Sequence, residues 1–469
     1  MTERKTIELD IESIAFQGSS VAKLDGLVYF VKGGLPGDRV IAEIVRKRRN
    51  YAECVVKSFL EVSPHRVQPF CRHFGVCGGC SWQDLDYTEQ TDWKRRHVMD
   101  SYSHIAKLEV GSFEQTMPSP QNYNYRNKME FSFGASRWVT EDEILSGQLI
   151  DQKDFALGLH YPGRFDKVID IMECHLQNQL GNRIINEIRK AALDFGTSAY
   201  NQRSHKGYLR NLILRYSRST GEVMVILVTH DHDGTSSRNF ISWFETRLTE
   251  IFKDISCLIH VINNTNSPVS YSQERIIKGE GFITDEILGI EFRISPFSFF
   301  QTNSAQLNKF IEKIIEEASL DSSDIVWDLY CGTGSITLPA SLKCSKIYGL
   351  ELSESSIQDA KANALRNGIK NTEFIASDLH AKTVPAVLES IDKPDVIFID
   401  PPRAGMHKNL LGHIMTVPAK KIIYVSCNPT TQACDLEILS EDYVISKVIP
   451  VDMFPHTYHV EAIAVLLHK

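Results

Sequence analysis

No run of 18 uncharged apolar residues occurs in the chain, and the opening MTERKTIELDIESIAFQGSS lacks the apolar core of a secretory signal. A membrane partner and a cleaved leader are therefore not expected, and the expected location is cytoplasmic. Internal repeats and low-complexity tracts are also missing, which excludes solenoids and disordered tails. With 42% hydrophobic and 23% charged residues, the composition is that of a folded globular chain, and 469 residues allow roughly two to four domains. Charge of one sign is in short supply as well: 51 basic residues face 59 acidic ones, a net charge of −8. A polyanionic partner must therefore be met by a local basic patch. Ten cysteines are present, but their uneven spacing gives no disulfide framework and favours thiols, metal ligands or catalysis.

Three parts are legible in the patterning. Residues 7–62 alternate apolar and polar side chains around a Gly-Gly-Leu-Pro-Gly turn at 33–37, as a small antiparallel barrel would. Arg46-Lys47-Arg48-Arg49-Asn50-Tyr51 falls where a hairpin tip is expected, and basic side chains beside an aromatic suit phosphate and base contact. The middle third mixes strand-like pieces such as Met129–Phe133 and Leu212–Tyr216 with helical ones, including Asp86 to about Ile105, which carries Lys94-Arg95-Arg96-His97, and Leu180–Leu193. It reads as α+β. Beyond Phe297, apolar strands at 325–329, 346–350, 396–400 and 422–426 alternate with helical segments, the pattern of a parallel sheet covered on both faces. The expected divisions are 1–62, 63–286 and 287–469.

Asp328-Leu329-Tyr330-Cys331-Gly332-Thr333-Gly334 is a strand running into a glycine-rich turn, the place where an open α/β sheet binds its ligand. Glu351 ends the next strand, where a carboxylate can accept both hydroxyls of a ribose. A dinucleotide fold calls for a third glycine where this chain has Thr337, so a nicotinamide cofactor is disfavoured and S-adenosylmethionine suits the turn better. Asp400-Pro401-Pro402-Arg403 ends a later strand, with Arg403 where enzymes methylating exocyclic amines commonly carry an aromatic. The target is then not an amino group. Cys427, in Ser426-Cys427-Asn428-Pro429, ends the following strand over the same rim, and Glu461 opens the last apolar run. Cys331, inside the glycine turn, reads as structural.

Taken together, SFFQTN (298–303), DLYCGTG (328–334), Glu351, DPPRAG (400–405), VSCNP (425–429) and EAIAVL (461–466) resemble, in order and separation, the RNA uracil-5-methyltransferase family. The resemblance implies an α/β Rossmann-like methyltransferase domain at 287–469, an N-terminal β-barrel of the OB-like TRAM type at 1–62 that binds RNA, and an α+β central domain at 63–286. It implies S-adenosyl-L-methionine as methyl donor, lined by Gln301, Tyr330, Glu351, Asp378 and Asp400, with Cys427 as nucleophile and Glu461 as base. Carbon 5 of uracil is a poor nucleophile, so a thiolate must first add to carbon 6 of a flipped-out base. Phe299, Phe300 and Gln301 are the candidates for holding that base. Cys71-x5-Cys77-x2-Cys80 with distant Cys174 is similar to the family's iron–sulfur ligands, implying a 4Fe-4S cluster; by spacing alone a structural zinc, with His73 and His175 nearby, stays open. The favoured substrate is 23S ribosomal RNA, with transfer RNA as the alternative and a non-catalytic RNA-binding protein as the rival from another class. No obligate protein partner is implied.

Overall fold

In the computed structural model, residues 5–147, 153–231, 234–266, 273–381 and 383–469 are described. The N-terminal sheet has six strands, and its two outermost, Thr6–Asp10 and Ser13–Ile14, follow one another in the chain, so the sheet closes on itself as a barrel. Leu9, Ala22, Val31, Val40, Ala42 and Cys54 fill the interior, which is why this stretch alternates. Strands Arg39–Lys47 and Tyr51–Glu61 form the hairpin whose tip carries the exposed residues Arg46, Lys47, Arg48 and Arg49.

The central sheet runs in the order Gln273–Lys278, Ile255–Ile262, Val223–Thr229, Leu209–Tyr216, Lys128–Gly134, Ala156–Tyr161, Arg164–Asp170. Strand Val223–Thr229 shows why its apolar run is unbroken. Val223, Val225 and Leu227 face helices Gln179–Asp194 and Thr235–Thr246, whereas Met224, Ile226 and Val228 join the core of the C-terminal sheet. Both faces are buried, so no polar alternation is tolerated.

The C-terminal sheet is ordered Thr372–Ala376, Lys346–Glu351, Ile325–Leu329, Val396–Ile399, Lys421–Ser426, Glu461–His468, Tyr443–Val451. All neighbours pair parallel except Glu461–His468, which is antiparallel to both of its own. Residues 87–117, expected to belong with the middle of the chain, pack on this sheet instead. Val98 and Tyr102 enter its core, and Val110, Phe113 and Met117 bridge to Ile445, Val448 and Val451. Among the described residues no helix is long and apolar enough to cross a membrane.

The sequence places Lys94, Arg95 and Arg96 in a row, where RNA contact is expected beside that of Arg46 to Arg49, but the structure does not gather them into one basic patch. The helix is Tyr87–Asp100, followed by a wider turn at Ser101–Ile105. Successive helical residues diverge by about 100°, and the three side chains part accordingly. Lys94 is fully buried and paired with Asp452 at 2.5 Å, Arg95 donates to the carbonyls of Phe113 and Glu114, and Arg96 lies over the Trp93 ring. Lys94 also donates to the Phe454 carbonyl at 3.0 Å, while Asp452 accepts from the Tyr87 hydroxyl at 2.9 Å and the Phe454 amide at 2.9 Å. Replacing Lys94 with Met leaves a buried carboxylate without its cation, and Lys94→Met is expected to lower unfolding free energy by about 3–5 kcal/mol. Adding Asp452→Leu should recover part of that loss; chemical denaturation of the three proteins checks it, and an unchanged midpoint for Lys94→Met refutes it.

Candidate active site

The site forms at the C-terminal edge of the parallel strands, where the order reverses between Ile325–Leu329 and Val396–Ile399. The backbone there is unusual. Tyr330 has φ +68°, in the left-handed region that costs a residue with a Cβ about 1–2 kcal/mol, and Gly334 has φ +88° with Leu338 close behind. The turn is held because the Tyr330 and Cys331 amides both donate to the Leu350 carbonyl, at 2.9 and 3.0 Å. Glu351 is half-buried, and its two oxygens accept from the Gly332 amide at 3.3 Å and the Ser353 amide at 2.9 Å.

Asp328 is fully buried, and burial raises its carboxyl to about 7. One oxygen accepts from the Thr337 hydroxyl at 2.5 Å; among the described residues the other has no partner, and neither has the buried hydroxyl of Tyr330. Buried polar atoms are normally paired, so two orphans beside a glycine turn mark a place shaped for a polar ligand. Burial holds the Tyr330 phenol well above the usual range, and Asp435, Asp378 and Glu351 add to the effect. Asp378 is exposed and caps its own turn through the His380 amide at 2.9 Å. Asp400 is adjacent, its amide donating to the Leu329 carbonyl at 3.2 Å, and burial raises its carboxyl to about 7. Gln301 is buried just before helix Ser304–Ala318, its carbonyl accepting from Asn127 at 2.8 Å. Of the two candidate base-holding rings, Phe299 is 63% exposed, but Phe300 is buried against Phe292 and belongs to the core, a correction to its expected role.

Pairing of Ser426 with Ala462 brings Cys427 and Glu461 next in register. Cys427 is half-buried, and burial together with Glu461 pushes its thiol up to about 11, while the neighbouring Arg403 works in the opposite direction. Glu461 is buried, its carboxyl held well above the usual range by burial and by Asp400. Sequence reasoning missed His459, whose Nδ1 lies 2.6 Å from an Arg403 nitrogen; its only signal was its place two residues before Glu461. Cys331 is buried beneath the glycine turn, consistent with packing rather than attack.

Cys71, Cys77, Cys80 and Cys174 all line a cavity of about 1300 Å³ between the barrel, the 71–84 loop and the turn at 161–165. Burial raises all four thiols, Cys77 to about 11 and Cys80 to about 12. Two of the sulfurs accept from nitrogen, Cys77 from the Gly79 amide at 3.3 Å and Cys80 from the Gln83 side chain at 3.2 Å, and backbone amides near Cys71 and Cys174 act against the rise in those thiols. The half-buried Arg126 lies beside them. Among the described residues, no group of three or more His, Cys, Asp or Glu side chains is gathered into a site for a metal ion.

Residues 272–469 match the tRNA (uracil-5-)-methyltransferase family model, and residues 1–57 match the TRAM domain. RNA methyltransferases of Bacteroides thetaiotaomicron and Chlorobaculum tepidum are 41% and 39% identical to this chain, covering 97% and 98% of it and 99% and 95% of their own lengths. The chain belongs to the RNA (uracil-5-)-methyltransferase family. Among solved structures, the Pyrococcus abyssi tRNA (uracil-54, C5)-methyltransferase in complex with S-adenosyl-L-homocysteine is similar, with a TM-score of 0.75 and 27% identity over 98% of this chain and 100% of that one. The chain is thus an enzyme with a Rossmann-like methyltransferase fold preceded by a TRAM barrel, and the reading as a non-catalytic RNA-binding protein is set aside.

Proposed function

We propose that the protein transfers the methyl group of S-adenosyl-L-methionine to carbon 5 of a specific uridine in RNA through a covalent Cys427–uracil adduct, with Glu461 as the base. The observation carrying this reading is that Cys427 and Glu461, 34 residues apart, meet in register at the edge where Asp400 and Tyr330 also stand. The donor supplies an electrophilic methyl on a sulfonium; Gln301, Tyr330, Glu351, Asp378 and Asp400 are the residues assigned to hold it. The unpartnered Tyr330 hydroxyl and the half-buried Glu351 carboxylate support that assignment. Cys427 adds as thiolate to carbon 6 and makes carbon 5 nucleophilic. After transfer, the carbon 5 proton passes to Glu461 and the carbon–sulfur bond breaks, restoring the ring. Glu461 accepts that proton only in its ionised form, which Arg403 favours. Exposed Arg46 to Arg49 at the barrel's hairpin tip support RNA contact.

Cys427→Ala should form no adduct with RNA and have no activity, whereas Glu461→Gln should methylate and then stay attached. A denaturing gel with labelled RNA reads both. RNA bearing 5-fluorouridine should trap the wild type because fluorine cannot leave as a proton does, and trapping by Cys427→Ala would assign the nucleophile to another residue.

The favoured RNA is 23S ribosomal RNA, a reading that rests on the barrel and the cysteine cluster. Transfer RNA is the second reading, favoured by the likeness to the Pyrococcus abyssi tRNA enzyme along its whole length. In a deletion strain, 5-methyluridine is expected to disappear from 23S RNA; its disappearance from tRNA alone selects the second reading, and unchanged levels in both refute the activity.

Cys71, Cys77, Cys80 and Cys174 are proposed to hold a 4Fe-4S cluster. Nitrogen donors at Cys77 and Cys80, the amides near Cys71 and Cys174, and the half-buried Arg126 support four thiolates, which burial alone disfavours. Anaerobically purified protein should be brown with about four irons per chain, and Cys174→Ser should lower that content while Cys257→Ser leaves it unchanged. Zinc without iron would overturn the assignment.

A further inference from the structure

We infer that His459 is a positioning residue that holds the Arg403 guanidinium against the Cys427 sulfur. The inference rests on Cys427 as the nucleophile. Arg403 sits in an exposed loop, so burial does not fix its long side chain. Its backbone is tied to the segment that follows Cys427: the Arg403 carbonyl accepts from the Asn428 side-chain amide at 3.0 Å and from the Thr431 hydroxyl at 3.2 Å. These bonds set where the side chain starts, and His459 sets where it ends. The guanidinium donates to His459 Nδ1 at 2.6 Å and lies beside the Cys427 thiol, whose ionisation it favours.

The choice of an imidazole as anchor has a chemical consequence. Burial, aided by Arg403, Lys94 and Arg126, lowers the pKa of His459 to about 4, so the ring is neutral near pH 7. With Nδ1 accepting, the ring proton resides on Nε2. A carboxylate in this place would cancel the charge of Arg403; a neutral acceptor orients it and leaves the charge for the thiolate. The groups facing Cys427 are Glu461 and Asp400, which oppose ionisation, and Arg403, which favours it. When the Cys427 S–H bond ionises, its proton passes to solvent and the electron pair stays on sulfur beside the guanidinium. His459 is itself seated by its loop, with Tyr458 at 4.2 Å and Phe454 at 6.0 Å between ring centroids.

The test reads the thiol directly, without RNA or methyl donor. Full-length protein is alkylated with iodoacetamide between about pH 6 and pH 10, and the Cys427 peptide is quantified by mass spectrometry. Arg403→Gln should slow alkylation at a fixed pH by about tenfold or more, the effect of removing an adjacent opposite charge. His459→Phe should slow it by about threefold or more, and His459→Asn, whose carbonyl oxygen can accept in place of Nδ1, should return it to within about twofold of wild type. The double variant Arg403→Gln/His459→Phe should be no slower than Arg403→Gln alone, because the two act through one contact. A wild-type profile for folded His459→Phe, or losses that add in the double variant, overturns the proposal. If His459→Phe fails to fold, His459→Asn decides: alkylation as slow as in Arg403→Gln overturns it. Failure of the nucleophile assignment has its own signature, trapping of 5-fluorouridine RNA by Cys427→Ala, which the alkylation profiles do not affect.

Discussion

A buried ammonium and a buried carboxylate, Lys94 and Asp452, hold the segment on which the site is built. Burying both charges is expensive unless their remaining hydrogen-bonding capacity is filled. Here it is filled, by Tyr87 and by the carbonyl and amide of Phe454. The consequence extends along residues 452–460. The His456 carbonyl accepts from the Ser81 and Trp82 amides, at 2.8 and 3.0 Å, just after the CGGC stretch, and Gln90 contacts His456 from the helix carrying Lys94. The cysteine loop and the approach to Glu461 are therefore seated on one frame, although nearly 380 residues separate them in sequence.

That frame confines several acids to a small volume. Asp328 and Asp400 are each raised to about 7, Glu461 is raised further than an ordinary carboxyl, and the Cys427 thiol rises to about 11. Burial is the first cause in every case. Burial favours the protonated form of each and nearby positive charge favours the ionised one, so their chemistry follows the placement of cations. Arg403 brings one such charge to Cys427. On the proposed reading a sulfonium donor brings another, coupling occupation of the pocket to the ionisation that the reaction requires.

The parallel strands were legible because strands buried on both faces leave continuous apolar runs, and Ile325–Leu329 falls where the sequence places it. The glycine turn, Glu351 and the separate Cys and Glu motifs could be read for the same reason: each follows a strand end. Lys94 was misread because adjacency in sequence is not adjacency on a helix; one of three neighbouring cations turned inward and the others found local partners. Phe299 and Phe300 diverge similarly, one to solvent and one to the core. The placement of residues 87–117 was hidden more deeply. Val110, Phe113 and Met117 meet the C-terminal sheet at intervals of three and four residues, which leaves none of the alternation that marks a strand.

The meeting of Cys427 with Glu461 follows from the one antiparallel strand in the C-terminal sheet. Parallel strands present their C-terminal ends at the ligand-binding edge, which is why the turns after Leu329, Ile399 and Ser426 converge there. A further parallel strand would add only another C-terminal turn. Because Glu461–His468 runs the other way, its first residue arrives at this edge, and the register that sets Ala462 opposite Ser426 brings Glu461 level with Cys427. Ala462 and Ala464 pack into one core and Ile463 and Val465 into the other, so a slip of one residue would exchange small for branched side chains on both faces and separate the pair. The hydrophobic core thereby fixes the distance between a thiol and a carboxyl that lie 34 residues apart, and the loop before the strand, held by Lys94 and Asp452, is left to carry His459 to Arg403.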